Sequence, residues 1–151
     1  MIDQTFIGFR LPLHTQVVEK GRLRFFARAI GETNPVYLHE DAAKAAGWGS
    51  LPVPPTFLFC LDMEQDNPYD CMDTLGIELG KVLHGEQHFS YYQVACAGDR
   101  LTFDSRITDI YQKKAGAMEF VVRDTAVFRE TGEPTREKLA DLRSIIIIRH
   151  R

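Results

Sequence analysis

Apolar and polar positions change rhythm about halfway along the chain. In the first half they recur at helical spacing: Leu23, Phe26, Ala27 and Ile30 stand at i, i+3, i+4 and i+7, with Arg22, Arg24 and Arg28 around the rest of the turn. This predicts an amphipathic helix over residues 20–30, stopped by Gly31. Residues 39–46 predict a short surface helix, acidic at its start and closed by Gly47. Over residues 54–64 the run Phe57, Leu58, Phe59, Cys60, Leu61 leaves no polar side, so a third helix is expected to be buried all round and wrapped by a sheet. Pro55 suits its first turn, where the missing N–H costs nothing, and residues 67–70 read as a loop.

From residue 81 onward the period becomes two. Leu101, Phe103, Ser105 and Ile107 alternate with Thr102, Asp104, Arg106 and Thr108, which specifies one buried and one wetter face. Strands are expected over 82–92, 99–111, 117–128 and 139–149, with turns at 113–116 and 131–134. The last strand ends in four isoleucines, a β-branched run. Helices grouped early and antiparallel strands grouped late predict an α+β fold, a sheet wrapped around one central apolar helix, in a single domain over residues 1–151. No internal repeat or low-complexity tract interrupts it.

Composition narrows the classes of function. A chain of 151 residues, 44% apolar, suits one ordinary core. Its net charge is -3 and its lysines and arginines are dispersed, which argues against nucleic acid or an anionic membrane as partner. Cys60, Cys71 and Cys96 are odd in number and lack metal-site spacing, so reduced thiols in a cytoplasmic protein are expected, with no metal. The N-terminus carries an acidic residue at position 3 and no basic stretch, unlike a signal peptide. The longest aliphatic run is Ile145 to Ile148, too short to span a bilayer. No Gly-rich dinucleotide loop is present, so no cofactor is expected.

Candidate chemistry gathers in residues 29–61. Glu32, Tyr37 and His39 flank the turn Thr33-Asn34-Pro35, and the apolar helix behind Pro54-Pro55 follows. Titratable groups beside a helix N-terminus can hold a carbonyl and move a proton next to it. Glu32 reads as a loop carboxylate or a proton-handling group, Tyr37 as a cover for the Asn-Pro turn or a substrate-facing hydroxyl. His39 reads as a helix-start residue or as the imidazole nearest Glu32. Asn34 shapes the turn through its side chain. His84 precedes Gly85, a glycine that marks a bulge or a close backbone approach.

The stretch Glu32-Thr33-Asn34-Pro35-Val36-Tyr37, followed by Ala46-Gly47-Trp48, Pro54-Pro55-Thr56-Phe57, His84-Gly85-Glu86-Gln87-His88-Phe89 and Ala97-Gly98-Asp99, resembles in order and spacing the N-terminal type of MaoC-like dehydratase, a hot-dog fold. The resemblance implies reversible hydration of a trans-2-enoyl thioester to the (3R)-3-hydroxyacyl thioester, carried on coenzyme A or acyl-carrier protein. Catalytic members of that family carry Asp-x-Asn-Pro-x-His, where the Asp and His activate a water and a helix N-terminus binds the thioester oxygen. Here Glu32 replaces the Asp and Tyr37 replaces the His; a phenol ordinarily titrates near ~10 and makes a poor base. The helix-opening His-Gly falls on Pro54-Pro55, which have no N–H, so Thr56 is the first donor.

The chain therefore resembles the partner half of two-part dehydratases, in which one hot-dog domain supplies the Asp and His and the other houses the acyl chain. On that resemblance the candidate catalytic residues are Glu32, Tyr37 and His39, and the candidate substrate-binding residues are Asn34, Thr56, Phe57 and His84. Phe57, Phe59 and Leu61 are core residues or acyl-tunnel lining. The implied partners are an acyl-CoA or acyl-carrier-protein thioester and a second hot-dog chain, as a homodimer or as a heterodimer with a catalytic MaoC-like subunit, paired along an edge strand of 82–92. A hot-dog thioesterase using Asp62 or Glu64 and a non-catalytic acyl-binding subunit are the alternatives.

Overall fold

The computed structural model describes residues 1–132 and 135–150. After a 3₁₀ turn at Gln4–Phe6 come strand β1, His14–Val17, and helix α1, Lys20–Ala29. A 3₁₀ turn at Pro35–Tyr37 leads to α2, Glu40–Ala45, then α3, Phe57–Asp62, and α4, Asp70–Thr74. The long strands β2, Val82–Tyr91, β3, Arg100–Lys113, β4, Met118–Gly132, and β5, Thr135–Arg149, complete the chain. All pairings are antiparallel, in the order β1-β3-β4-β5-β2, so β2 is an edge.

Side-chain parity explains the layers. Leu101, Phe103, Ser105 and Ile107 are buried, as their alternation predicts. A bulge between Ile107 and Asp109 then shifts the phase so that Ile110 is buried too. Over this face lies the main core: Leu23 of α1, Phe57, Leu58 and Leu61 of α3, and Val127, Leu139 and Leu142 of β4 and β5. A second cluster at the far end of the sheet packs Cys71, Leu75 and Ile77 onto Ile107, Ile110, Val121 and Ile148.

Several expectations need correction. The central helix runs Phe57–Asp62, shorter than 54–64, because Pro54 and Pro55 form a turn, with Phe57 N–H donating to the Pro54 carbonyl at 2.9 Å. It is not buried all round: Phe59 and Cys60 are half-buried, with the Phe59 ring 5.3 Å from that of exposed His84 on β2 and Cys60 on the side of Arg22 and Glu64. Strand β1 has no apolar alternation of its own and exists through its pairing with β3. Residues after the 67–70 turn form α4. Strands β4 and β5 extend toward each other past the expected ends, with Arg136 and Glu130 paired across them at 3.1 Å. The turn expected at 131–134 includes residues 133–134, which lie outside the described residues.

Gly31 ends α1 at φ 73°, the left-handed conformation a helix stop requires. Gly85 is needed for a different reason. It sits in a bulge of the β2–β5 ladder between His84 and Glu86, and a Cβ there would stand 2.9 Å from the Ile145 carbonyl oxygen and 2.9 Å from Ile147 Cγ1. Backbone cannot yield as a flexible side chain would, so Gly85→Ala is expected to destabilise the chain by ~1–3 kcal/mol, read as a lower urea midpoint. An unchanged midpoint would show that the bulge relaxes freely. The bulge also switches parity along β2: His84 pairs with Ile146 and Gln87 with Ser144, so His84, Gln87, Phe89 and Tyr91 share the inward face.

Candidate functional site

A cavity of about 430 Å³ lies at the N-terminal end of α3, walled by Asn34, Tyr37, Trp48, Pro55, Leu58, Tyr91, Gln93 and Leu139 among others. The Asn-Pro loop is built by nested side-chain caps. Glu32 Oε1 accepts from Asn34 N–H at 2.8 Å, and Asn34 Oδ1 accepts from Val36 N–H at 3.1 Å, which opens the 3₁₀ turn that carries Tyr37 into the wall. Arg24 Nε donates to the Leu38 carbonyl at 3.0 Å and ties the loop to α1. On the opposite wall, Arg129 Nη2 donates to the Val94 carbonyl at 2.6 Å while its Nε meets Asp99 Oδ2 at 2.9 Å. Asp99 in turn accepts from Cys96 N–H at 2.8 Å, so the Ala97-Gly98-Asp99 segment clamps residues 93–95 against the cavity.

Tyr91 spans the entrance. Its hydroxyl donates to the Pro55 carbonyl at 2.6 Å, and burial pushes its pKa up to about 12. It is a fixed donor and never a base at neutral pH. At the helix entrance neither proline has an N–H, and Phe57 N–H is committed to Pro54, which leaves the Thr56 N–H as the first donor facing out of the turn. The wall of this cavity holds two tyrosines, an asparagine and a glutamine, but no imidazole and no carboxylate.

The seven candidate residues separate. Asn34 and Tyr37 line the cavity. Glu32 stands beside it with its carboxylate turned to the loop backbone, and His39 is exposed at the start of α2. Thr56 is exposed at the α3 N-cap, without a side-chain capping bond. Phe57 points into the core, with its ring 5.0 Å from that of Phe26. His84 belongs to a second, smaller cavity of about 130 Å³ at the other end of α3, with Phe59, Met63, Met72, Val82 and Ile146.

Beneath the second cavity lies a buried charge cluster. Asp62, 1% exposed, receives Arg123 Nη2 on its Oδ2 at 2.6 Å, and its Oδ1 stands 3.5 Å from His14 Nε2. Neither of those last two atoms has a hydrogen-bond partner. The His14 ring stacks on Phe103 at 4.9 Å, and burial pushes its pKa down. The pair Asp62–Arg123 pegs the C-terminal end of α3 to β4, and so fixes where its N-terminus meets the cavity. A signal for this was in the strand: Arg123 and Thr125 share the parity of buried Val121 and Val127, and an arginine on an inward face needs a buried anion. Glu64, the other late carboxylate, is bound by Arg22 at the surface.

Trp48, Tyr91 and Gln93 complete the first cavity from segments far apart in sequence. Among the described residues no helix is long and apolar enough to cross a membrane, and no group of three or more metal-ligating side chains comes together.

A family model for the FAS1-like dehydratase domain region matches residues 5–138. Among curated relatives, a UPF0336 protein of Streptomyces avermitilis is 40% identical over 111 residues, 72% of this chain and 73% of its own, and one of Streptomyces griseus is 37% identical over 134 residues, 87% of each. Among solved structures, the C-terminally truncated HadBC (3R-hydroxyacyl-ACP dehydratase) complex of Mycobacterium tuberculosis aligns at TM-score 0.76 and 23% identity, covering 94% of this chain and 96% of that one. The ChsH1-ChsH2 complex of Mycobacterium tuberculosis aligns at 0.71 and 19% identity, over 93% and 84% of the chains. The R-hydratase PhaJ1 of Pseudomonas aeruginosa aligns at 0.68 and 16% identity, over 96% and 83%. At these identities the structures speak to the fold, which is the hot-dog fold; the family match goes further, and this chain belongs to the FAS1-like dehydratase-region family.

Proposed function

We propose that this chain is the acyl-binding half of a two-part dehydratase, acting in the reversible hydration of trans-2-enoyl thioesters carried on coenzyme A or acyl-carrier protein in the cytoplasm. One observation carries the reading: the cavity at the α3 N-terminus offers apolar walls and hydrogen-bonding groups but nothing that titrates near neutrality. Hydration needs a base to take a proton from water, and tyrosine, asparagine and glutamine do not supply one. A second hot-dog chain carrying the Asp and His would. Strand β2 suits the pairing, because it is an exposed edge whose inward residue Tyr91 already lines the cavity. Two of the structures similar in fold, HadBC and ChsH1-ChsH2, are themselves complexes. The thioesterase alternative loses support, since Asp62 is buried against Arg123 and far from the open end of α3.

The test is an enoyl-CoA hydration assay on the chain alone, on a hot-dog partner carrying Asp-x-Asn-Pro-x-His alone, and on the two co-expressed. Hydration well above either single chain is expected only from the pair, with the (R)-hydroxyacyl product. An ordinary enzymatic rate from this chain alone would overturn the partner reading, and release of free thiol without hydration would favour the thioesterase.

A further inference from the structure

We infer that Tyr91 reads the 3-hydroxyl of the ligand, and so gives the cavity at the α3 N-terminus a preference for 3-hydroxyacyl over enoyl and saturated acyl thioesters; this rests on the acyl-binding reading above. A phenol has one proton to give, and Tyr91 gives it to the Pro55 carbonyl at 2.6 Å. Its oxygen keeps its lone pairs, so the side chain meets a ligand as a hydrogen-bond acceptor. Burial holds the proton in place, with the pKa pushed up to about 12. Where a helix entrance would ordinarily present N–H groups, Pro54 and Pro55 have none, and the Tyr91 oxygen stands at the Pro55 carbonyl instead. An acceptor at that place repels a thioester oxygen and attracts an O–H.

The Asn-Pro loop has the opposite polarity. Asn34 commits its Oδ1 to the Val36 N–H at 3.1 Å, which leaves its Nδ2 as a donor on that wall. Leu58 and Leu139, both buried, give the same cavity a hydrocarbon lining. A ligand that matches all three carries a carbonyl, a hydroxyl and an alkyl tail on one chain, as a 3-hydroxyacyl thioester does. The trans-2-enoyl and saturated chains have no donor at C3, so binding them leaves the Tyr91 oxygen without a partner. The proton at C2 still needs the base of the second chain, so Tyr91 selects the ligand and does not catalyse.

Titration calorimetry of the full chain with (3R)-3-hydroxybutyryl-CoA, butyryl-CoA and acetoacetyl-CoA tests this. The wild type should bind the hydroxyacyl thioester roughly 3- to 10-fold tighter than butyryl-CoA. Acetoacetyl-CoA, with an acceptor at C3 in place of a donor, should bind no tighter than butyryl-CoA. Tyr91→Phe keeps the ring stacked on Phe89, 5.8 Å away, and leaves the carbonyl of exposed Pro55 to water, so the hydroxyl preference should vanish while butyryl-CoA affinity stays. A fall in both affinities with an unchanged ratio would make Tyr91 a structural tie and overturn the inference. Acetoacetyl-CoA binding as tightly as the hydroxyacyl thioester would overturn it as well, and that comparison needs only the wild type, so it decides the matter if the variant does not fold. If the wild type binds none of the three thioesters, the acyl-binding reading itself falls.

Discussion

Arg123→Met should lower the stability of the chain by ~3–5 kcal/mol, seen as a large fall in the urea midpoint with little change in slope. The reason is the isolation of Asp62. Its side chain is 1% exposed, and Arg123 Nη2 at 2.6 Å is the cation that holds it; methionine fills the same space and leaves the carboxylate buried without a counter-charge. Removing both charges is a different experiment. Asp62→Leu combined with Arg123→Met leaves no unpaired ion, so most of the loss should be recovered, as replacement of buried pairs by apolar residues often allows. A double variant as unstable as the single one would mean that the peg works through shape and not through charge.

The same cluster gives the stability a pH dependence with a definite sign. Burial holds the His14 pKa below its ordinary value, opposed by the Asp62 charge and reinforced by the Arg123 charge. In the unfolded chain a histidine titrates near ~6.5, so just below that pH the unfolded state binds more protons than the folded one. This contribution is fully present above pH ~6.5 and is lost as the pH falls below it toward the depressed folded value. In Arg123→Met one of the charges that depresses His14 is gone, so the acid-side loss should soften.

The parts of the fold set by local pattern were legible. Residues 101–107 alternate strictly, and their odd positions are buried. The hydrophobic face of α1 was equally plain, with Leu23 and Ala27 at its centre. What escaped the sequence was whatever depends on a partner element. Strand β1 is ordered by β3. The apolar look of residues 57–61 hid that Asp62 belongs to the interior and that Phe59 and Cys60 are only half-buried. Arg123 shares the inward parity of Val121 and Val127, and which buried anion it meets is decided by where α3 ends.

The site shows the same division. The Asn-Pro turn is a local object, and its side-chain caps follow from the residues themselves. The direction of the side chains around it is not local. The 3₁₀ turn at Pro35–Tyr37 aims Tyr37 at the cavity while His39, two residues on, starts α2 on the surface. Proximity in sequence to Glu32 therefore says nothing about where the imidazole points. The walls from Trp48, Tyr91 and Gln93 are brought in by the sheet and by the Arg129 clamp, neither of which periodicity reveals.

Putting an imidazole where Tyr37 stands should raise the hydratase activity of the isolated chain. Tyr37 already lines the cavity, so Tyr37→His delivers a base with an ordinary pKa of ~6.5 to the wall, and positioned acid–base help is typically worth ~10²- to 10⁴-fold. Glu32→Asp shortens the carboxylate that now accepts from Asn34 N–H, and an aspartate two residues before an N–H forms the tighter turn of the same kind, so the loop should survive. Pro55→Gly adds a main-chain donor at the entrance of α3 while keeping the carbonyl that the Tyr91 hydroxyl uses. One such donor is worth roughly 10²- to 10³-fold in other enzymes, against a stability cost of about 0.4–1 kcal/mol from the freer unfolded chain. The combined variant should therefore show enoyl-CoA hydration at least ~10²-fold above the wild-type chain, with a rate that rises as pH increases through ~6.5 because the neutral imidazole is the base. A folded variant that still binds acyl-CoA but shows neither the gain nor that pH limb would mean that the cavity lacks more than a base and a donor, and that the missing geometry comes from the partner strand beside β2.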